Sequence, residues 1–177
     1  MMRVALLLLV VATAAAACGG GAEPVPAPAA TGPPPVALLP PSDLRAAIPV
    51  LGGWARGEIT VQDMTSLDRS TAAMVTFTRG GEKLDLEVAD TGGDARAIES
   101  LEHMAGSDVS RTVENGYFKG TTINGLPAVE SWNTVDKLGE LSVLVRRRYI
   151  IHVAGSGLAD AAPMRALAEA VDTTRLR

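Results

Sequence analysis

The side chains in this chain that could do chemistry are few and far apart. There is one cysteine, Cys18, and there are two histidines, His103 and His152. A metal centre needs His, Cys and carboxylates converging at workable spacing. With the only thiol near the N-terminus, no metal site and no cofactor are expected. His103 falls late on a predicted helix, where an imidazolium is mildly favoured by the C-terminal dipole. His152 falls within Tyr149-Ile150-Ile151-His152-Val153, on the strand face opposite Tyr149, Ile151 and Val153. Nothing resembling Gly-x-Ser-x-Gly is present, and Gly155-Ser156-Gly157 lacks both the elbow context of a nucleophile and the third glycine of a dinucleotide fingerprint. Asp85 and Glu87 lie two apart on a solvent face with Asp90 and Asp94 nearby, a set whose spacing does not match an EF-hand loop. An enzyme would need carboxylates, His152 or Ser156 to meet in a cleft, so the residues predict a protein that is not an enzyme.

The triplet Arg146, Arg147 and Arg148 is the strongest local charge feature. Three cations between two apolar strands predict a solvated turn, and at a membrane the same turn is a candidate contact for anionic head groups or an acidic partner. The chain as a whole carries a net charge of −4, which opposes steering to anionic surfaces and excludes a nucleic-acid binder. Six aromatics leave little material for stacking platforms. Trp54, Tyr117, Phe118 and Trp132 are core candidates, and if Trp132 shares a face with Ala128 and Glu130, that strand borders a groove.

Cys18 acquires a role from what precedes it. Residues 1–17 read as one cation, Arg3, an apolar run over 4–11, and a small-residue tail. The run is far short of the ~20 apolar residues that a spanning helix needs, so it reads as an export signal. Ala15-Ala16-Ala17-Cys18-Gly19 then resembles the lipobox of bacterial lipoproteins, with Ala15 where the family usually has Leu. The resemblance implies cleavage before Cys18, diacylglycerol on its thiol and, usually, a palmitate-like acyl chain on its amino group. A lone thiol in an oxidising compartment is consistent with such consumption. Gly19 after the cysteine, rather than Asp, implies the outer membrane, facing the periplasm, in a diderm organism.

From residue 18 to residue 42 the chain is a tether. Eight of the eleven prolines, Pro24, Pro26, Pro28, Pro33, Pro34, Pro35, Pro40 and Pro41, lie there, and a Pro/Ala/Gly segment is expected to be polyproline II and coil. It reaches roughly 70 Å at ~3 Å per residue and would hold a domain off the bilayer.

Residues 43–177 suffice for one hydrophobic core. Asp43 is placed to cap a short helix over 44–48, ended by Pro49. Strands are expected over 54–62, 70–79 and 82–89, the last with Leu84, Leu86 and Val88 alternating with Lys83, Asp85 and Glu87. Asp94 starts a helix to about residue 105, followed by a polar loop. Strands over 116–123, 128–134, 139–146 and 148–154 come next, with Asn124-Gly125 a hairpin signal, and a last helix runs over about 160–172. The order predicts an α+β domain: an antiparallel sheet of six to seven strands with two amphipathic helices on one face. In arrangement alone it resembles the Mog1/PsbP-like class.

Taken together, the residues predict a membrane-anchored envelope lipoprotein whose domain is a non-catalytic binding or assembly module, partnered by the bilayer through acylated Cys18 and by an envelope protein. The alternative is a periplasmic carrier or chaperone, with an apolar or lipidic ligand in a pocket lined by Leu84, Leu86, Ile98, Leu101, Leu167 and Val171. Cys18→Ser protein should leave the membrane fraction and keep its leader, because two or three chains at ~0.8 kcal/mol per buried CH₂ are what make anchoring stable. Fractionation and intact mass check both outcomes, and membrane-bound, normally processed Cys18→Ser protein contradicts the lipobox reading.

Overall fold

In the computed structural model, the alternation at Leu84, Leu86 and Val88 becomes part of the middle of one antiparallel sheet. The elements run α1 (Pro41–Ala47), β1 (Ala55–Arg56), β2 (Thr60–Met64), β3 (Ser70–Arg79), β4 (Glu82–Asp90), α2 (Ala95–Gly106), β5 (Arg111–Val113), β6 (Gly116–Ile123), β7 (Leu126–Asn133), β8 (Leu138–Val145), β9 (Tyr149–Ser156) and α3 (Ala162–Ala170). The structure describes residues 36–64, 69–106 and 110–177; the leader, Cys18 and the tether up to residue 35 lie outside the described residues. Strand order is β1-β3-β4-β9-β8-β7-β6-β5, with β2 also paired to β3. Every pairing is antiparallel, so the domain is α+β. No helix among the described residues is long and apolar enough to cross a membrane.

The sheet has nine strands, not six or seven. The expected strand over 54–62 is two short ones, split where the Gly57 N–H turns to the Thr76 carbonyl oxygen at 2.8 Å. The other addition is β5, three exposed residues on the edge of β6, whose polar composition hides it in the loop expected there. The folded unit also begins earlier than residue 43. Its first helix starts at Pro41, with proline in the first turn, and Asp43 is a first-turn acid rather than the cap.

Placement of the helices differs more deeply from the expectation. Three helices pack on two faces. Leu44 and Ala47 of α1 and Met164, Leu167 and Ala168 of α3 join Val75, Phe77, Leu84, Leu86, Val88, Leu141, Val143, Ile151 and Val153 in the larger core. On the opposite face, Ile98 and Leu101 of α2 pack with Val129 and Leu144, flanked by Phe118 and Ile150. The reason is written in the strands that α2 covers. Ala128-Val129, Val143-Leu144-Val145 and Ile150-Ile151 are consecutive apolar residues, so both faces of the sheet are apolar there and both must be covered. At Lys83, Asp85 and Glu87 the second face is polar and needs no helix.

Two glycines set how closely the layers approach. A Cβ on Gly139 would lie 2.6 Å from Met164 Cε and 2.6 Å from Trp132 Cε3, so α3 settles into the space that the missing side chain leaves. A Cβ on Gly120 would lie 2.5 Å from the Ala105 carbonyl oxygen and 2.7 Å from that of Met104. Backbone cannot yield as a side-chain tip does, so Gly120→Ala should push the end of α2 off β6 and cost about 1–3 kcal/mol. Gly81→Ala, where nothing lies within 4 Å of the new methyl, should change stability by less than about 0.5 kcal/mol. Urea midpoints of the two variants check the contrast.

Candidate functional site

The part of the second face that α2 leaves open is ordered by strand register. One row across the strands runs Met74, Glu87, His152, Ser142; the next runs Thr76, Asp85, Ala154, Glu140, Ser131; a third runs Thr78, Lys83, Ser156, Leu138, Asn133. These positions alternate with core residues, so they share the outer face. Two clefts lie along them. One, about 500 Å³, is lined by Asp85, Ser131, Trp132, Glu140, Ala154 and Ser156 among others. The other, about 380 Å³, is lined by Glu58, Thr60, Met74, Thr76, Glu87 and His152. Asp85 lines both, which makes them one trough.

Local contacts fix part of the trough. Thr76 Oγ1 donates to Asp85 Oδ1 at 2.6 Å, and Lys83 Nζ lies 2.7 Å from Asp85 Oδ2. Partial burial pushes the Asp85 carboxyl up, but the Lys83 and Thr76 bonds override it and hold the group below its ordinary range. Ser142 Oγ and His152 Nδ1 are 3.0 Å apart. Glu87 is the cross-strand neighbour of His152 yet makes no hydrogen bond or ion pair with it. A hydroxyl on Nδ1 without an orienting carboxylate is a polar contact, not an assembled nucleophile. Ser156 stands four residues along β9 from His152, about 13 Å at strand rise, so these two do not meet. Sequence reasoning passed over Ser142, although centring the β8–β9 hairpin on Arg147 places it opposite His152. His103 is exposed on α2. Asp85 and Glu87 face the trough, Asp90 is buried on the other face, and Asp94 receives the Arg96 N–H at the start of α2. No group of three His, Cys, Asp or Glu residues among the described residues is arranged to hold a metal ion.

The arginine triplet divides by task. Arg146 and Arg147 turn the chain with φ of 53° and 51°. Arg147 pairs with Glu102 of α2 at 2.8 Å; Arg146 is exposed and makes no ion pair among the described residues. Arg148 turns back into the protein. Its Nε donates to Asp90 Oδ1 at 2.8 Å and its Nη2 to Asp90 Oδ2 at 2.6 Å and to the Ala37 carbonyl at 2.6 Å. Asp90 is fully buried and also accepts the amides of Leu39 and Gly92. The segment leading into α1 is thereby clasped to the ends of β4 and β9.

A second buried carboxylate, Glu130, sits under α3. Arg165 grips it with two bonds, at 2.5 and 2.6 Å, the Tyr117 hydroxyl donates to it, and Lys119 Nζ is 3.6 Å away. Burial, then the Glu130 charge, pushes the Tyr117 hydroxyl up to about 12. Ala128, Glu130 and Trp132 do share a face, and all three are buried. The residues of the expected carrier pocket do not line one space. Leu84, Leu86, Leu167 and Val171 belong to the larger core, whereas Ile98 lies with Leu101 across the sheet.

Burial alone would raise the carboxyls of Asp90 and Glu130, but their arginines and hydrogen-bond donors hold both below the ordinary range. A depressed folded pKa contributes stability that is complete above the unfolded value and disappears as pH falls through the folded one. The urea midpoint should therefore drop steadily below about pH 4, where free carboxylates begin to protonate. Arg148→Met should cost about 3–5 kcal/mol at pH 7, since it strands a buried charge, and should flatten the acid limb. Matched pH series of parent and variant check this. Compared with protein-family models, with curated proteins and with solved structures, the chain finds no match.

Proposed function

We propose that this chain is a lipid-anchored protein of the cell envelope whose domain is a non-catalytic binding module, with the trough on the open sheet face as its contact surface. Acylated Cys18 supplies the anchor, in the outer membrane facing the periplasm where the organism is diderm, and the proline tether supplies the stand-off distance. The observation that carries the reading is the unequal cover of the sheet: α1 and α3 span one face, while α2 leaves Thr76, Asp85, Glu87, His152, Ser142 and Glu140 open on the other. Short hydroxyl, methyl and imidazole side chains between carboxylates leave two joined clefts, a shape suited to a protein segment. The carrier reading gains no support, because the residues expected to form its pocket are packed in separate cores.

Affinity capture from crosslinked cells tests the proposal. The parent protein should retain a specific envelope partner, and Glu87→Arg/Ser142→Arg should lose it at least tenfold. Glu169→Arg, exposed on α3, should retain it. Equal recovery with all three proteins places the contact elsewhere.

A further inference from the structure

We infer that the trough takes an extended, cationic segment of a partner protein, laid across the strands, with one guanidinium or ammonium seated over Ala154 between Asp85 and Glu140. This deepens the reading of the trough as the contact surface and rests on it. Ala154 is in register with Asp85 on β4 and with Glu140 on β8. The two carboxylate-bearing strands are thus two spacings apart, about 9–10 Å at the backbone, with only a methyl between them. That methyl is the floor of the 500 Å³ cleft.

The charge of the trough is one-sided. Glu58, Asp85, Glu87 and Glu140 line the two clefts, and Lys83, paired to Asp85 at 2.7 Å, is the one cation in the rows described above. Glu58, Glu87 and Glu140 make no ion pair among the described residues. Carboxylate oxygens accept only, and a charged donor bonds them about twice as strongly as a neutral one, so the excess of carboxylates favours a cationic group. Guanidinium fits best, because its planar fork reaches two acceptors at once. Leu138, which lines the cleft and is exposed, gives apolar surface to the stem of such a side chain. From β3 to β8 is three strand spacings, about 14 Å, which four or five extended residues span. The clefts are open to solvent and include Thr76, Ser131 and His152, hydroxyl and imidazole groups that can both donate to and accept from a peptide backbone, whereas a protonated polyamine only donates. This favours a protein segment over a free polyamine.

The probe is a fluorescein-labelled peptide with arginine at every third position among serine and glycine, titrated by anisotropy against full-length lipidated protein in micelles with uncharged head groups. The parent should bind it and not the glutamate-for-arginine peptide. Asp85→Asn/Glu140→Gln should weaken binding at least tenfold. Ala154→Leu, which keeps every charge and fills the floor, should weaken it to a similar degree, with an unchanged thermal midpoint showing that the fold is intact. Glu169→Gln should bind like the parent. No binding by the parent, or parental binding by Ala154→Leu, overturns the inference, the latter because attraction would then be general to an acidic surface. Displacement by spermidine at the peptide's own affinity overturns the choice of a protein segment. If the peptide fails while Glu87→Arg/Ser142→Arg still abolishes partner capture, the cationic assignment falls and the contact surface stands.

Discussion

Every strand of a sheet presents two faces to be dealt with, and the described residues include three helices with which to do it. Two of them, α1 and α3, are placed on one side, over the face built from Phe77, Leu84, Leu86, Val143, Ile151 and Val153. The remaining helix covers only the stretch where Val129, Leu144 and Ile150 make the second face apolar. The rest of that face must meet water, and its residues are of the kind that can: hydroxyls, carboxylates, an imidazole and an alanine. The trough is the direct result of this division of cover.

Buried charge appears on the inner side in two places, each serving an attachment. Asp90 with Arg148 fastens the segment at residues 37–39 to the ends of β4 and β9. Glu130 with Arg165 and Tyr117 fastens α3 to β6 and β7. Taking such carboxylates out of water is expensive unless their lone pairs are used, and no buried side-chain polar atom among the described residues lacks a hydrogen-bond partner. The carboxylates of the trough differ in this respect. Asp85 is partly engaged, and Glu58, Glu87 and Glu140 have no ionic partner among the described residues. Satisfied charges hold the domain together; incompletely satisfied ones on an open face are available to something outside it.

Much of the framework was legible in the sequence because it follows short-range rules. Period-two alternation placed β4, Asn124-Gly125 placed the β6–β7 turn, and Asp94 and Gly106 bracketed α2. Long-range facts were not legible in the same way. That Arg148 faces inward depends on Asp90, 58 positions away in sequence, and Glu130 finds Arg165 35 positions on. Side-chain type alone marks all four as surface residues. The helix faces could have been read more closely, because Val143-Leu144-Val145 and Ile150-Ile151 are the mark of strands covered on both sides. The pairing of Ser142 with His152 needed only the register of one hairpin. The emptiness of the floor at Ala154 needed three strands in register at once, and no local pattern reports that.

The central claim is that contact is made by the open face and not by the covered one. Site-specific photocrosslinking in cells measures this most directly, with a photoreactive residue placed singly at Thr76, at Ser142 or, as a comparison outside the trough, at Thr112 on the far edge strand. The account predicts one discrete adduct of the same mass from Thr76 and Ser142 and none from Thr112. An adduct from Thr112 with none from the trough positions would contradict it.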